Sequence, residues 1–222
     1  MKKGIIILSG GLDSTVLLHD IVAKKKYDIE AISFEYGQKH SREIECAAWQ
    51  AKKVGVPHSI IQLPFINEVF SSALLQSGKS IPHGHYESET MKETVVPNRN
   101  MILLSIAAGV AISKKRNTIF YGAHSGDHAI YPDCREDFVH AMQRVFLLCD
   151  WEKIELEVPF LHLKKDDIVK KGKELQVDFS HTWTCYTGGE MPCEKCGSCV
   201  ERAEAFAKNN LFDPLLQKNE YK

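Results

Sequence analysis

Short aliphatic stretches alternate with amphipathic ones along this chain, and that alternation frames every other reading of it. Residues 4–8 (Gly-Ile-Ile-Ile-Leu) contain no polar side chain, the pattern of a strand covered on both faces. Residues 14–25 then place their apolar positions at helical intervals. The unit repeats with a strand over 28–36, a helix over 41–54 whose inner face carries Ile44, Ala47, Ala48 and Ala51, and a strand over 59–63. Residues 64–96, with Pro64, Gly78, Pro82 and Gly84, follow neither period and predict a long loop with at most short helices. A connection of that length in a compact domain usually carries function. Beyond it the pattern predicts a nearly all-apolar helix over 101–112, a strand over 118–121, a helix over 135–148, a strand over 153–158 and helices over 164–175 and 200–209.

Strands alternating with helices at this spacing predict an α/β fold: a doubly wound, mainly parallel five-stranded sheet with helices on both faces. Ligands of such sheets sit beyond the carboxyl ends of the strands. That rule gathers residues 9–14, 35–40 and 122–135 at one place. The expected organisation is a main domain over 1–180, a small cysteine-bearing knuckle with its helix over 181–210, and a tail over 211–222.

The first strand breaks into Ser9-Gly10-Gly11-Leu12-Asp13-Ser14 and passes directly into a helix. A buried strand, a glycine-paired turn and a helix start form a phosphate cradle, since backbone N–H groups and the positive end of the helix dipole converge there. Gly10 and Gly11 let an anion approach the backbone of Leu8 to Leu12. Ser9 and Ser14 add hydroxyl donors, and Asp13 is suited to hold a Mg²⁺ riding on the phosphates. The bland alternative is a glycine pair capping an ordinary strand–helix turn. The loop has neither the spacing of a Walker A motif nor that of a dinucleotide fingerprint.

Composition narrows the classes further. With 28 basic and 29 acidic side chains the net charge is −1, so no broad basic face for nucleic acid is expected. The short lysine runs at 24–26 and 170–173 read as solvated helix ends. No apolar stretch is expected to span a membrane, and Met1-Lys2-Lys3 leads straight into the first strand without the look of a cleavable signal. A cytoplasmic protein is expected. Four of the seven cysteines, Cys185, Cys193, Cys196 and Cys199, fall within fifteen residues as C-x7-C-x2-C-x2-C. Clustered thiolates suit a structural Zn²⁺ with four closed ligands. An iron–sulfur cluster, two redox pairs or simple buried thiols remain open alternatives.

The first loop resembles that of the N-type ATP pyrophosphatases, which have the adenine nucleotide alpha hydrolase-like fold. Read with Phe-Glu-Tyr-Gly-Gln-Lys-His (34–40), Val-Pro-Asn-Arg-Asn (96–100), Tyr-Pro-Asp-Cys-Arg (131–135), Thr-Cys-Tyr (184–186) and the cysteine knuckle, the chain resembles the 7-cyano-7-deazaguanine (preQ0) synthase family from about residue 5 to 206. The resemblance implies conversion of 7-carboxy-7-deazaguanine and ammonia to the nitrile with two ATP, in queuosine biosynthesis. It implies a ligase acting on a small deazapurine, with Zn²⁺, Mg²⁺ and ATP, no direct nucleic-acid or membrane partner, and a homodimer. Asp13, Arg99 and Lys165 would handle phosphate charge; Tyr36, Gln38, Tyr131, Asp133 and Arg135 would form the base pocket, with Arg135 on the substrate carboxylate. Read without it, Arg99 is a charge at a helix entry and Lys165 an ordinary surface lysine beside Lys164, Asp166 and Asp167. Cys134 reads as a non-nucleophile, since adenylation already supplies a leaving group.

Three departures from the family pattern stand out: Glu35 in place of Asp, Asn98 in place of Gly, and Asp127-His128-Ala129-Ile130 before Tyr131. Asn98 tolerates left-handed backbone. The last departure keeps open an amide-forming relative acting on another carboxylate. A tRNA-thiolating enzyme, a nucleotide sensor and an RNA-binding zinc module are less favoured by the neutral charge and the complete cysteine set. His83, His85, His124 and His128 read as loop or core histidines. Phe212, Leu215 and Leu216 suggest a tail that docks on a neighbouring subunit.

Overall fold

The first strand, β1 (Lys2–Ile7), becomes the middle of the sheet, and its side chains alternate between two separate cores. Ile5 enters the core on one face and Ile6 the core on the other, as period-two geometry requires. The computed structural model describes residues 1–39, 41–78, 80–81, 89–126 and 130–219. β1 pairs in parallel with β2 (Tyr27–Glu35), Lys2 opposite Tyr27 through Ile7 opposite Ile32. On its other side it pairs with β4 (Thr118–Phe120), Gly4 opposite Thr118. β3 (His58–Gln62) lies outside β2 and β5 (Glu155–Glu157) outside β4, all parallel, giving the order β3-β2-β1-β4-β5. The sequence expectation of a parallel five-stranded sheet is met. Growth of the sheet changes direction between β1 and β4, where a crevice opens at the carboxyl ends of the strands.

Helix α1 (Leu12–Ala23) follows β1, α2 (Arg42–Lys53) follows β2, and the short α3 (Phe65–Val69) lies in the connection read as a loop. α4 (Arg99–Ser113) packs on β1 and β4, and α5 (Glu136–Phe146) on β5. α6 (Lys165–Glu174) packs between α1 and α7 (Gly197–Lys208). Leu12, Val16, Leu17 and Phe120 share one core with Ile168, Val169 and Phe206; Ile32, Leu104, Ala107 and Met142 share the other with Trp183. The final helix begins three residues earlier than its periodicity suggests, because Cys196 is its N-cap and Cys199 lies in its first turn.

Two expectations are corrected. Residues 91–113 are long and apolar enough, by length and composition alone, to cross a membrane. They do not form one helix, however: residues 89–94 make a 3₁₀ turn, Asn98 stands at φ +56°, and α4 starts only at Arg99. Leu103, Leu104, Ala107, Ala108 and Ala111 of α4 are buried against the sheet. Secondly, Leu215 packs into this chain's own core. Asp213 accepts two hydrogen bonds from the buried Arg202, at 2.7 and 2.9 Å, so the segment is held by an internal ion pair. Phe212 in that segment stays well exposed.

Candidate active site

The turn between β1 and α1 is shaped by what presses on it. Gly10 adopts φ +85°, and a Cβ there would fall 1.8 Å from the Glu43 carbonyl oxygen, so the first turn of α2 closes directly on the glycine. The Trp183 N–H donates to the Gly10 carbonyl at 3.0 Å, bringing in the segment that precedes the cysteine knuckle. Within the turn, Gly11 N–H donates to Ser9 Oγ and Ser9 N–H to Ser14 Oγ, each at 3.2 Å, and the two hydroxyls are 3.0 Å apart. Gly11 is the N-cap of α1 and carries no side chain to satisfy the helix's first N–H groups. Those donors therefore face a cavity of about 230 Å³ lined by Leu8, Ser9, Gly11, Leu12, Asp13 and Ser14.

Four charged or polar side chains, from three helices and the loop after β4, meet at the edge of this turn. Lys165 Nζ, at the first position of α6, donates to Asp13 Oδ2 at 2.7 Å and lies 3.3 Å from Glu201 Oε2 of α7. His124 Nε2 is 3.7 Å from the same Asp13 oxygen. The Gly126 N–H donates to His124 Nδ1 at 3.1 Å, which leaves the ring proton on the nitrogen facing Asp13. Burial pushes the Asp13 carboxyl upward, but Lys165 and His124 outweigh it and hold it below the ordinary carboxylate value. Asp13 Oδ1 is buried without a hydrogen-bond partner among the described residues. An acceptor of that kind beside a helix N-terminus fits a hard divalent cation. His124 is fully buried, as expected of a loop or core histidine, and from there its Nε2 faces Asp13.

The cavity continues from the cradle to an aromatic end. Tyr36, Arg99, Asn100, Tyr121, Tyr131 and Cys134 line it. Arg99 Nη1 donates to Tyr36 Oη at 3.3 Å, and its Nε and Nη2 both donate to Asn100 Oδ1 at 3.1 Å. Burial works against the guanidinium charge, but the hydroxyls of Tyr36, Tyr131 and Tyr121 and the Asp133 carboxylate hold it firmly protonated. Tyr131 Oη bridges Thr94 Oγ1 and Tyr186 Oη at 3.0 and 3.1 Å. Gln38 lines the cavity too, but its carboxamide accepts the Tyr36 N–H and donates to the Phe34 carbonyl, which makes it a brace for the turn after β2.

Two expected base-pocket residues stand elsewhere. Asp133 Oδ2 accepts the backbone N–H of Asn100 at 3.1 Å, one layer behind the lining. Arg135 is exposed at the N-cap of α5 and does not reach the cavity, because the chain turns outward after Cys134 to begin that helix. Asp127, His128 and Ala129, as well as His40, His83 and His85, lie outside the described residues. Sequence reasoning passed over Glu43, Tyr121 and Glu201, all of which line the cavity. Glu43 and Glu201 sit on helices whose local pattern is unremarkable, and Tyr121 directly follows β4. Tyr186, also on the wall, was at least within the quoted Thr-Cys-Tyr motif.

The four cysteines do converge: the sulfurs of Cys185, Cys193, Cys196 and Cys199 all lie within 4.8 Å of one another. Backbone N–H groups of Cys193 and Cys196 donate to the sulfurs of Cys185 and Cys193, both at 3.3 Å. Gly188, Gly189 and Glu194 adopt positive φ to make the tight reversals. Arg42 donates to the carbonyls of Gly189 and Glu190, tying the start of α2 to the knuckle. A metal ion fits these four sulfurs. The knuckle is joined to the active site, since Trp183 and Thr184 line the cavity immediately before Cys185.

The profile of the family described as "Queuosine biosynthesis protein QueC" matches residues 3–210. A protein from Caldicellulosiruptor saccharolyticus named 7-cyano-7-deazaguanine synthase is 53% identical over 213 residues, 96% of this chain and 94% of its own length. One of the same name from Methanoregula boonei is 51% identical over 213 residues, covering 96% and 98%. Among solved structures, the U34-tRNA thiolase NcsA from Methanococcus maripaludis, with its [4Fe-4S] cluster, superposes with a TM-score of 0.53 at 18% identity, covering 94% of this chain and 65% of that one. The NMN synthetase from Francisella tularensis gives 0.51 at 15% identity, covering 86% and 70%. At those identities the two structures share the fold. The near-complete profile match and the half-identical relatives, set on the cradle, the cavity and the cysteine knuckle, establish that this chain belongs to the QueC family of queuosine biosynthesis proteins.

Proposed function

We propose that this chain is a 7-cyano-7-deazaguanine synthase that joins 7-carboxy-7-deazaguanine and ammonia with two molecules of ATP. The observation that carries the reading is one cavity with a phosphate end at Ser9–Ser14 and an aromatic end at Tyr36, Arg99 and Tyr131. A carboxylate is a poor electrophile because its oxygen leaves badly. Its attack on the α-phosphorus of ATP makes an acyl adenylate and expels pyrophosphate toward the diglycine turn. Ammonia then displaces AMP and an amide forms, releasing a proton. A second adenylation on the amide oxygen lets AMP leave with that oxygen; loss of the remaining N–H protons gives the nitrile. The protein's part is positioning and charge stabilisation.

In this reading α1's first N–H groups and the serine hydroxyls hold the pyrophosphate. Asp13 would hold a Mg²⁺, which would supply neutralisation of phosphate charge there. Lys165 and Arg99 supply cationic contacts. Tyr36 and Tyr131 stack on the heterocycle, and Asp133 and Gln38 shape the wall behind it. Arg135 is left out, because it is exposed. The cysteines hold zinc: one tetrahedral ion with bonds of about 2.3 Å spaces its sulfurs about 3.8 Å apart. A set lying within 4.8 Å favours that single ion over a four-iron cube. The reading includes a cytoplasmic homodimer; exposed Met101, Leu148 and Trp151 offer apolar surface to a second copy.

Purified protein supplied with MgATP, ammonium and 7-carboxy-7-deazaguanine is expected to yield the cyano product and two AMP per product, read by mass spectrometry. A product stopping at the amide with one AMP would instead mark an amide-forming ligase. AMP release indifferent to the deazapurine would overturn the reading.

A further inference from the structure

Glu201 is out of place by simple electrostatics. A carboxylate on the wall of a cavity built to receive phosphates repels what the cavity is for. Yet it lines that cavity, with a side chain only 15% exposed. Its Oε2 lies 3.3 Å from Lys165 Nζ, the same ammonium that Asp13 Oδ2 approaches to 2.7 Å. Gly126 lies against it: a Cβ there would fall 2.8 Å from Glu201 Oε1 and equally 2.8 Å from His124 Cε1. Glu201 stands on α7, two residues beyond Cys199 in the helix that the four-cysteine turn launches.

From this geometry we infer that Glu201 is a positioning residue: it holds Lys165 between two carboxylates, so that the ammonium stays at the cradle when Asp13 turns to a cation and phosphate. With Asp13 as its sole anionic partner, Lys165 would close onto that residue as a tight pair, and each would block the other's ligand. Shared between Asp13 and Glu201, the lysine keeps a fixed place as Asp13 is drawn off. The carboxylate that looks repulsive thereby favours anion binding through the lysine. Because α7 begins at Cys196, the knuckle sets the position of Glu201 and hence of Lys165. The inference rests on the cradle reading of the proposed function and adds a role for the knuckle's helix.

The test compares wild type with Glu201→Gln, Glu201→Asp and Gly126→Ala. Calorimetric titration with magnesium pyrophosphate, without any deazapurine, reports on the cradle alone. Glu201→Gln is expected to bind about fivefold more weakly and, in turnover, to lose about tenfold in kcat with metal content and Tm unchanged. Glu201→Asp is expected to recover part of both losses, and Gly126→Ala, which crowds Glu201 and His124 alike without removing a charge, to weaken binding in the same direction. Tighter or unchanged pyrophosphate binding in Glu201→Gln would overturn the inference, since through-space repulsion predicts the tighter result. Loss of metal or melting in parallel with activity would also overturn it, as a merely structural role. Failure of wild type to make the nitrile would refute the substrate assignment, while the pyrophosphate titration would still decide the role of Glu201.

Discussion

Lys165 Nζ stands 2.7 Å from Asp13 Oδ2, although 152 positions separate the two residues in the chain. The pair joins the first turn of α1 to the first turn of α6, so the cradle is closed by an element from the far end of the fold. Lys165→Met keeps the length of the stem and removes the charge. We expect turnover to fall by at least about a hundredfold, the scale on which one preorganised charge contact to a transition state acts. Quenched-flow measurement of pyrophosphate release checks it; a fall of less than threefold would place Lys165 outside the chemistry.

The Glu43 carboxyl supplies a pH test. Burial pushes it up to about 7, with Arg99 opposing and the nearby Cys185 adding to the rise. The folded protein therefore binds this proton more tightly than the unfolded chain. That contribution to stability is complete below the ordinary Glu value of 4.5 and is lost as pH rises through about 7. Glu43→Gln, compared with wild type by thermal denaturation without ligand, should gain in relative Tm between pH 5 and pH 8. An equal difference at both pH values would show that Glu43 is not raised.

At Gly10 the constraint is steric. A side chain there meets left-handed strain of about 1–2 kcal/mol and a contact 1.8 Å from the Glu43 carbonyl, which only a shift of α2 relieves. Gly10→Ala is expected to lose about 3 kcal/mol in all, a Tm drop of about 6–12 °C for a chain of this size. It should also abolish the pyrophosphate titration. A variant with wild-type Tm would mean that α2 does not close on the turn.

Removal of the knuckle's metal should act on both stability and the site. Cys185→Ser, or dialysis against a strong chelator, is expected to reduce zinc from one per chain to well under half. Tm should fall by about 10 °C or more, since metal binding in such turns is folding free energy. Metal analysis by plasma emission alongside calorimetry checks it. Retention of Tm after complete metal loss would remove the knuckle from the structural core.

Most of the architecture was legible because it is written in short-range patterns. Runs such as Ile5–Ile7 declare buried strands, and Ser9–Ser14 declares its turn chemistry within six residues. The cysteine set was legible for the same reason, since its four members lie fifteen residues apart at most. Boundaries fared less well: β5 keeps three residues of a predicted six, because only those three find a partner in β4. Arg135 shows the limit of motif proximity. It follows Cys134 directly, yet the turn into α5 sends it to solvent while Cys134 lines the cavity.

By itself, then, the sequence determined the alternation of strands and helices, the diglycine turn and the four-cysteine turn, all of them properties of neighbouring residues. Only the tertiary structure decided that Glu43, His124 and Glu201 join that cradle, that Arg135 does not, and that Leu215 folds back onto its own chain. The physical reason is that helical and strand periods specify which face of an element is buried. Which elements then meet across the crevice depends on the order of the strands and on packing between segments more than a hundred residues apart.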